Sequence, residues 1–274
     1  MKKILYTLSL GLFLFSCKTE TKTETETQTI TNQEDKPAIE KAVKETKKYP
    51  ENLVKVFNAH GGLDLWKSMR SLEYTQEKPD GKEVTTTDLY NRKALLASEN
   101  YAIGFDGQKP WLLNKTDKEY KGYDPKFGYN LMFYFYTMPF ILSDDGIKFS
   151  EAEALTFEGV TYPGIKISYD NGVGATPEDI YILYYNAETF KMEWLGYTVN
   201  FVPGIDTKEL HFRRYGDWQE VNGLLLPNTI TGYGFKDDKP TTPKAPNVFT
   251  DVKLSTTAPD AAMFVKPEQA KFVD

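Results

Sequence analysis

Side chains able to do covalent or metal chemistry are few: one cysteine, Cys17, and two histidines, His60 and His211, in 274 residues. A zinc site draws on several Cys and His ligands, and histidine-based acyl transfer needs a nucleophile beside the base, so this supply suits neither. His60-Gly61-Gly62 can be read as the backbone-donor loop of an esterase, but the chain has no Gly-x-Ser-x-Gly elbow to go with it. Glycines that close an apolar helical stripe read more simply as a helix stop. Alternation along Leu210-His211-Phe212-Arg213 places His211 beside Arg213, opposite Leu210 and Phe212, and this marks His211 as a surface residue. Asp144-Asp145-Gly146 and Asp170-Asn171-Gly172 lack the ligand spacing of a calcium loop. A pair of acidic residues can hydrolyse a glycan, and Trp and Tyr suit sugar stacking, but the sequence singles out no pair. No cofactor, no metal and no enzymatic activity are expected.

Cys17 itself follows Met1-Lys2-Lys3, the apolar stretch Ile4 to Phe15, and the small residue Ser16. That stretch suits a signal-peptide core but falls short of the ~20 residues that span a bilayer. Leu14-Phe15-Ser16-Cys17 resembles the bacterial lipobox, which implies a thiol that takes a diacylglycerol before cleavage makes it the new N-terminus. Phe15 is bulkier than the residue usual at its position, and an ordinary secretory signal with an incidental cysteine is the alternative. The lipidated reading implies residues 1–16 as signal, Cys17 as the lipidation site, and a protein anchored in the cell envelope. An outer-membrane location facing the periplasm or the exterior is expected. Two or three acyl chains at ~0.8 kcal/mol per buried methylene make such anchoring effectively permanent.

Removing Lys2 and Lys3 with the signal takes the formal charge from -6 to -8. Residues 18–49 hold seven Lys against seven Asp and Glu, so the globular remainder carries the whole acidic excess. Nucleic acid is not an expected partner of such a surface. Residues 18–35 contain one large apolar residue, Ile30, and cannot bury enough surface to offset the entropy of ordering. Residues 17–49 therefore read as lipidated cysteine plus flexible tether, and residues 50–274 as one domain whose core holds without disulfides.

The elements that must position any site begin with a helix from Pro50, with Leu53, Val54, Phe57 and Ala59 as its apolar stripe and Gly61-Gly62 as its end. A short second helix spans 63–69, with Trp66 as a core anchor. From Ser71 the chain alternates strands with turns such as Pro79-Asp80-Gly81, Asp106-Gly107, Glu158-Gly159 and Asn222-Gly223. Candidate strands lie at 72–76, 83–90, 93–98, 101–105, 111–113, 153–157, 164–169, 180–185, 191–202, 207–218, 224–235 and 247–255. One curled antiparallel meander is favoured over two domains.

Two stretches break the pattern. Residues 129–142 are apolar on every side, and their helical portion before Pro139 must be covered or cover something itself. Residues 241–246, with Pro243 and Pro246, read as a long hairpin loop near a cavity mouth. Within Ile180-Tyr181-Ile182-Leu183-Tyr184-Tyr185 both faces are apolar or aromatic, so this strand is expected to be buried twice, either by core packing or by lining a cavity.

Five motifs taken in order resemble the LolA/LolB/LppX superfamily of outer-membrane lipoproteins. They are the helix with Gly61-Gly62 and Trp66, the run Gly104 to Trp111, Met138-Pro139-Phe140, Asp217-Trp218 to Leu226-Pro227, and Phe264-Val265-Lys266-Pro267. The resemblance covers residues 50–270 and implies a mainly β fold with a few helices: a curved antiparallel half-barrel sheet closed by helices, whose interior accepts acyl chains. The apparent anchor departs from the soluble carrier of that superfamily, and no exposed loop matches the membrane-inserting one of the anchored acceptor. On this reading the residues expected to line the ligand space are Tyr101, Ile103, Phe133, Tyr136, Ile182, Tyr184, Tyr197 and Phe212. Three functions stay open: an anchored binder of a lipid, acyl chain or other apolar small molecule; an envelope module that meets a protein partner; and a glycan-directed hydrolase.

Overall fold

Pro50 and Glu51 open the first element of the computed structural model, which describes residues 48–170, 179–200 and 206–273. Cys17, the signal segment and the tether up to residue 47 lie outside the described residues, as do Asn171 and Gly172. Lys47–Asp274 forms one unit.

Helix α1 (Glu51–Ala59) buries Leu53, Val56 and Phe57, and it stops where Gly61 adopts φ +104 and Gly62 N–H donates to Phe57 O at 2.9 Å. Helix α2 (Leu63–Ser68) presents Trp66, whose ring stacks on Phe140 at 4.9 Å. Strands β1 (Ser71–Lys78), β2 (Gly81–Asp88), β3 (Ala94–Ala97), β4 (Tyr101–Phe105) and β5 (Pro110–Asn114) then form a meander. Helix α3 (Pro125–Tyr136) starts four residues before the aromatic run that announced it. Asp124 caps it by accepting from Lys126 N–H at 3.0 Å, and Pro125 takes the first position, where its missing N–H costs nothing.

The second series is β6 (Ile147–Phe157), β7 (Val160–Tyr169), β8 (Tyr181–Tyr185), β9 (Met192–Tyr197), β10 (His211–Val221), β11 (Leu224–Lys236), β12 (Lys239–Val248) and β13 (Thr250–Ser255), with β14 (Lys271–Phe272) near the C-terminus. These strands make two seven-stranded antiparallel sheets rather than one, ordered β13-β1-β2-β3-β4-β5-β14 and β12-β11-β10-β9-β8-β7-β6. Neither order closes on itself. The sheets meet at Phe249: β12 pairs with β11, Phe249 N–H donates to Asn228 O at 2.9 Å, and β13 continues on β1.

The expected loop at 241–246 is thus the middle of an edge strand. Proline cannot donate to a ladder, which excludes it from central strands but suits a strand whose outer side has no neighbour. Pro240, Pro243 and Pro246 all sit in β12 opposite β11.

The main core gathers Leu53, Val56 and Phe57 of α1, Leu72 and Tyr74 of β1, Tyr136, Phe140, and Leu183, Leu195, Tyr215 and Ile230 of the second sheet. A second cluster, Leu155, Tyr162, Tyr184, Trp194, Phe212 and Tyr233, covers the other face of that sheet. A bulge creates it: Ala152 pairs with Gly164 and Leu155 with Tyr162, so Glu153 and Ala154 oppose the single residue Pro163. One extra residue inverts the alternation. Ile147 and Phe149 before it pack on the main core, whereas Leu155 and Phe157 after it turn to the other face, where Phe157 meets Trp194 at 4.9 Å.

Candidate functional site

Strand alternation in the first sheet puts Leu72, Tyr74 and Gln76 of β1 opposite Thr87, Thr85 and Glu83 of β2, with Ala94 and Leu96 of β3 next in line. This face is apolar toward Leu72 and polar toward Gln76 and Glu83, which are 3% and 6% exposed. A buried carboxylate requires partners, and Glu83 has two. Tyr101 Oη donates to its Oε2 at 2.6 Å, and Lys78 Nζ lies 3.7 Å from its Oε1 while donating to Gln76 Oε1 at 3.1 Å. Burial raises the Tyr101 hydroxyl well above its ordinary pKa, and its bond to the Glu83 carboxylate adds to the effect.

A cleft of about 810 Å³ opens on this polar end. Glu83, Leu96 and Tyr101 form its sheet side, Gly128, Leu131 and Met132 of α3 face them, and residues 118–123 of the β5–α3 connection border it. Tyr120 reaches back from that connection to meet Tyr101 edge-on at 4.8 Å, and burial, followed by the Glu83 charge, pushes its hydroxyl up to about 12. Arg213 of β10 and Asn247 of β12 bring the second sheet to the same space. The Arg213 guanidinium lies 4.2 Å from the centre of the Phe135 ring, and its Nε donates to Tyr197 Oη at 3.2 Å.

Of the eight residues expected to line one space, only Tyr101 borders this cleft. Ile103 shares its face by alternation and is wholly buried. Phe133 and Tyr136 belong to the main core, with Tyr197 packed against it. Ile182, Tyr184 and Phe212 point to the opposite face of the second sheet, into the cluster around Trp194. The eight therefore do not line a common cavity, because a period-two strand buried on both sides sends neighbouring residues to different clusters. Glu83, Tyr120, Leu131, Met132 and Arg213 were not anticipated; the Leu210 to Arg213 alternation did place Arg213 on its correct face, which turns out to be covered. His211 on that face is half-buried between Tyr197 and Phe235 rather than on the surface, and its buried Nε2 has no partner among the described residues.

His60 is also more than a helix stop. It is wholly buried, with Nδ1 2.8 Å from Val56 O and Nε2 3.3 Å from Met192 N, so the ring is the neutral tautomer that donates from Nδ1 and accepts at Nε2. Among the described residues no three His, Cys, Asp or Glu side chains converge as a metal site. No helix among them is long and apolar enough to cross a membrane.

Comparison with known proteins gives one family and a set of solved structures. No curated protein is significantly similar in sequence. A LolA superfamily protein from Nitrosomonas europaea aligns with 72% of this chain and 88% of its own, at 12% identity and a TM-score of 0.43. A domain named for outer-membrane lipoprotein sorting, from Vibrio parahaemolyticus, aligns over 75% and 97% at 8% identity and 0.40. A DUF1329 family protein from Desulfovibrio piger aligns over 77% and 95% at 8% identity and 0.47. The model of one family matches residues 3–239, and the chain belongs to that family, DUF6503, a family of unknown function.

Proposed function

We propose that this chain is a lipid-anchored envelope protein that holds the apolar chain of an amphiphile, a lipid or an acyl group, in the cleft between the first sheet and α3, without chemistry. The observation that carries this reading is the cleft itself. Ligand sites for molecules of this size occupy roughly 300–1,000 Å³ and combine apolar walls with a few placed polar groups. Here about 810 Å³ is bordered by an apolar strip of Leu96, Leu131 and Met132 with the Tyr101 and Tyr120 side chains beside it, and by a larger set of polar groups that includes Asp80, Glu83, Asn100, Asn114 and Arg213. The anchoring half of the reading rests on Cys17 and the segment before it.

Full chain purified from membranes in a non-ionic detergent, extracted with organic solvent and weighed by mass spectrometry, is expected to release a fatty acid or phospholipid in stoichiometric amount. An empty protein that also fails to take up added lipid overturns the reading. Gly128→Trp supplies the matching variant. A Cβ at Gly128 meets Tyr123 O at 3.4 Å and Tyr120 Oη at 3.8 Å, ordinary contacts, and Gly128 borders the cleft, so an indole at this position is expected to take up cleft volume. Occupancy should fall about tenfold, as overpacking of a filled site implies. The melting temperature should hold or rise, because Gly is the poorer helix former. Undiminished occupancy in this variant places the ligand elsewhere.

A further inference from the structure

Resting on the cleft reading above, we infer that the bound amphiphile is anionic and that the Arg213 guanidinium receives its carboxylate or phosphate head. Four cations border the cleft, Lys78, Lys118, Lys121 and Arg213. Lys78 is engaged by Glu83 and Gln76, and Lys118 and Lys121 are exposed. Arg213 is half-buried and has no carboxylate partner among the described residues; its one hydrogen bond uses Nε, toward Tyr197 Oη at 3.2 Å. Its guanidinium carbon lies 4.2 Å from the Phe135 ring centre and 5.7 Å from that of Tyr197, and with the Nε bond these contacts hold the group in place while leaving both Nη groups for a ligand. A planar guanidinium so held matches the two oxygens of a carboxylate or phosphate, and such charge-assisted pairs are the strong ones. Glu83, Asp80 and Glu119, which also border the cleft, repel the same head, so the guanidinium and these carboxylates together orient the molecule. The head sits at Arg213 and the chain runs along Leu131, Met132 and Leu96.

The test uses the full chain in non-ionic detergent with two photoactivatable probes, a diazirine-bearing palmitic acid and the corresponding alcohol, with labelled peptides mapped by mass spectrometry. In the native protein the acid should label the peptides around Leu96 and residues 120–132 at about tenfold lower concentration than the alcohol, the lower end expected for a charge-assisted hydrogen bond. Arg213→Met should bring the ratio to about one, and Arg213→Lys should keep it above one. Equal labelling by acid and alcohol in the native protein overturns the inference while leaving the cleft reading intact. Labelling of those peptides by neither probe overturns the cleft reading itself. Displacement of the acid by an equal concentration of inorganic phosphate assigns Arg213 to a free anion and overturns the amphiphile.

Discussion

His60→Leu is expected to destabilise the protein by about 2–4 kcal/mol at pH 7, a large part of the 5–15 kcal/mol that a domain commands. The substitution removes the acceptor of Met192 N–H and the donor to Val56 O, both inside the core, and it removes an edge contact with Trp218 at 4.6 Å. An unpaired buried donor costs its full desolvation, which separates this site from a surface histidine. The same burial lowers the His60 pKa from 6.5 to about 4. A depressed histidine is neutral when folded and takes a proton when unfolded, so its contribution is fully present above pH 6.5 and is lost as pH falls toward 4. The loss amounts to about 3 kcal/mol over that window. Urea unfolding from pH 7 to pH 4 reads both effects: the native protein should lose stability with a slope that His60→Leu lacks. Parallel pH profiles for the two proteins sink the assignment.

The His60 turn shows which parts of this molecule a sequence discloses. Gly61-Gly62 announced the end of α1 because positive φ is a local demand, met at Gly61 and Gly62 alike. The ring's burial was not legible, since its partner Met192 lies 132 residues away. Turns such as Asp106-Gly107 and Asn222-Gly223 marked hairpins for the same local reason, and Trp66 was placed in the core by its size. Alternation told which residues share a face but not which face meets solvent. Both faces of the second sheet are covered, which is why alternation alone reads His211 as a surface residue and groups Ile182, Tyr184 and Phe212 with Tyr197. The prolines of β12 argued against a strand, and only its place at the edge reconciles them with one. The cleft was the least legible feature. Glu83 and Arg213 come from different sheets, and neither residue type nor spacing links them.

Gly104→Ala is expected to cost about 3 kcal/mol or more, the range reached when a rigid core is overpacked and cannot relax. Gly104 of β4 pairs directly with Trp111 of β5, and the indole lies across it. A Cβ at position 104 would sit 2.1 Å from Trp111 Cζ2 and 2.2 Å from Cε2, so the ring must move. The ring is 1% exposed, and its Nε1 donates to Phe264 O at 3.0 Å, 153 residues on. Around it pack Ala102 and Ala270, with Leu95 and Leu113, and Trp111 itself pairs with Phe272 of β14. Displacing the indole therefore loosens the C-terminal segment from the first sheet as well as the β4–β5 hairpin. The variant should show red-shifted tryptophan emission, a lower urea midpoint, and faster proteolysis between residues 260 and 273. A double-mutant cycle isolates the cause: in a Trp111→Leu background, Gly104→Ala should cost about 1 kcal/mol or less, since the clashing ring is gone. If the substitution costs the same in both backgrounds, the glycine is required for some reason other than the indole above it. If it costs nothing in the native background, the ring does not lie across Gly104. The run Gly104 to Trp111 would then owe its form to the Asp106-Gly107 turn alone, where Gly107 takes φ +100, and not to the packing of the hairpin's two ends.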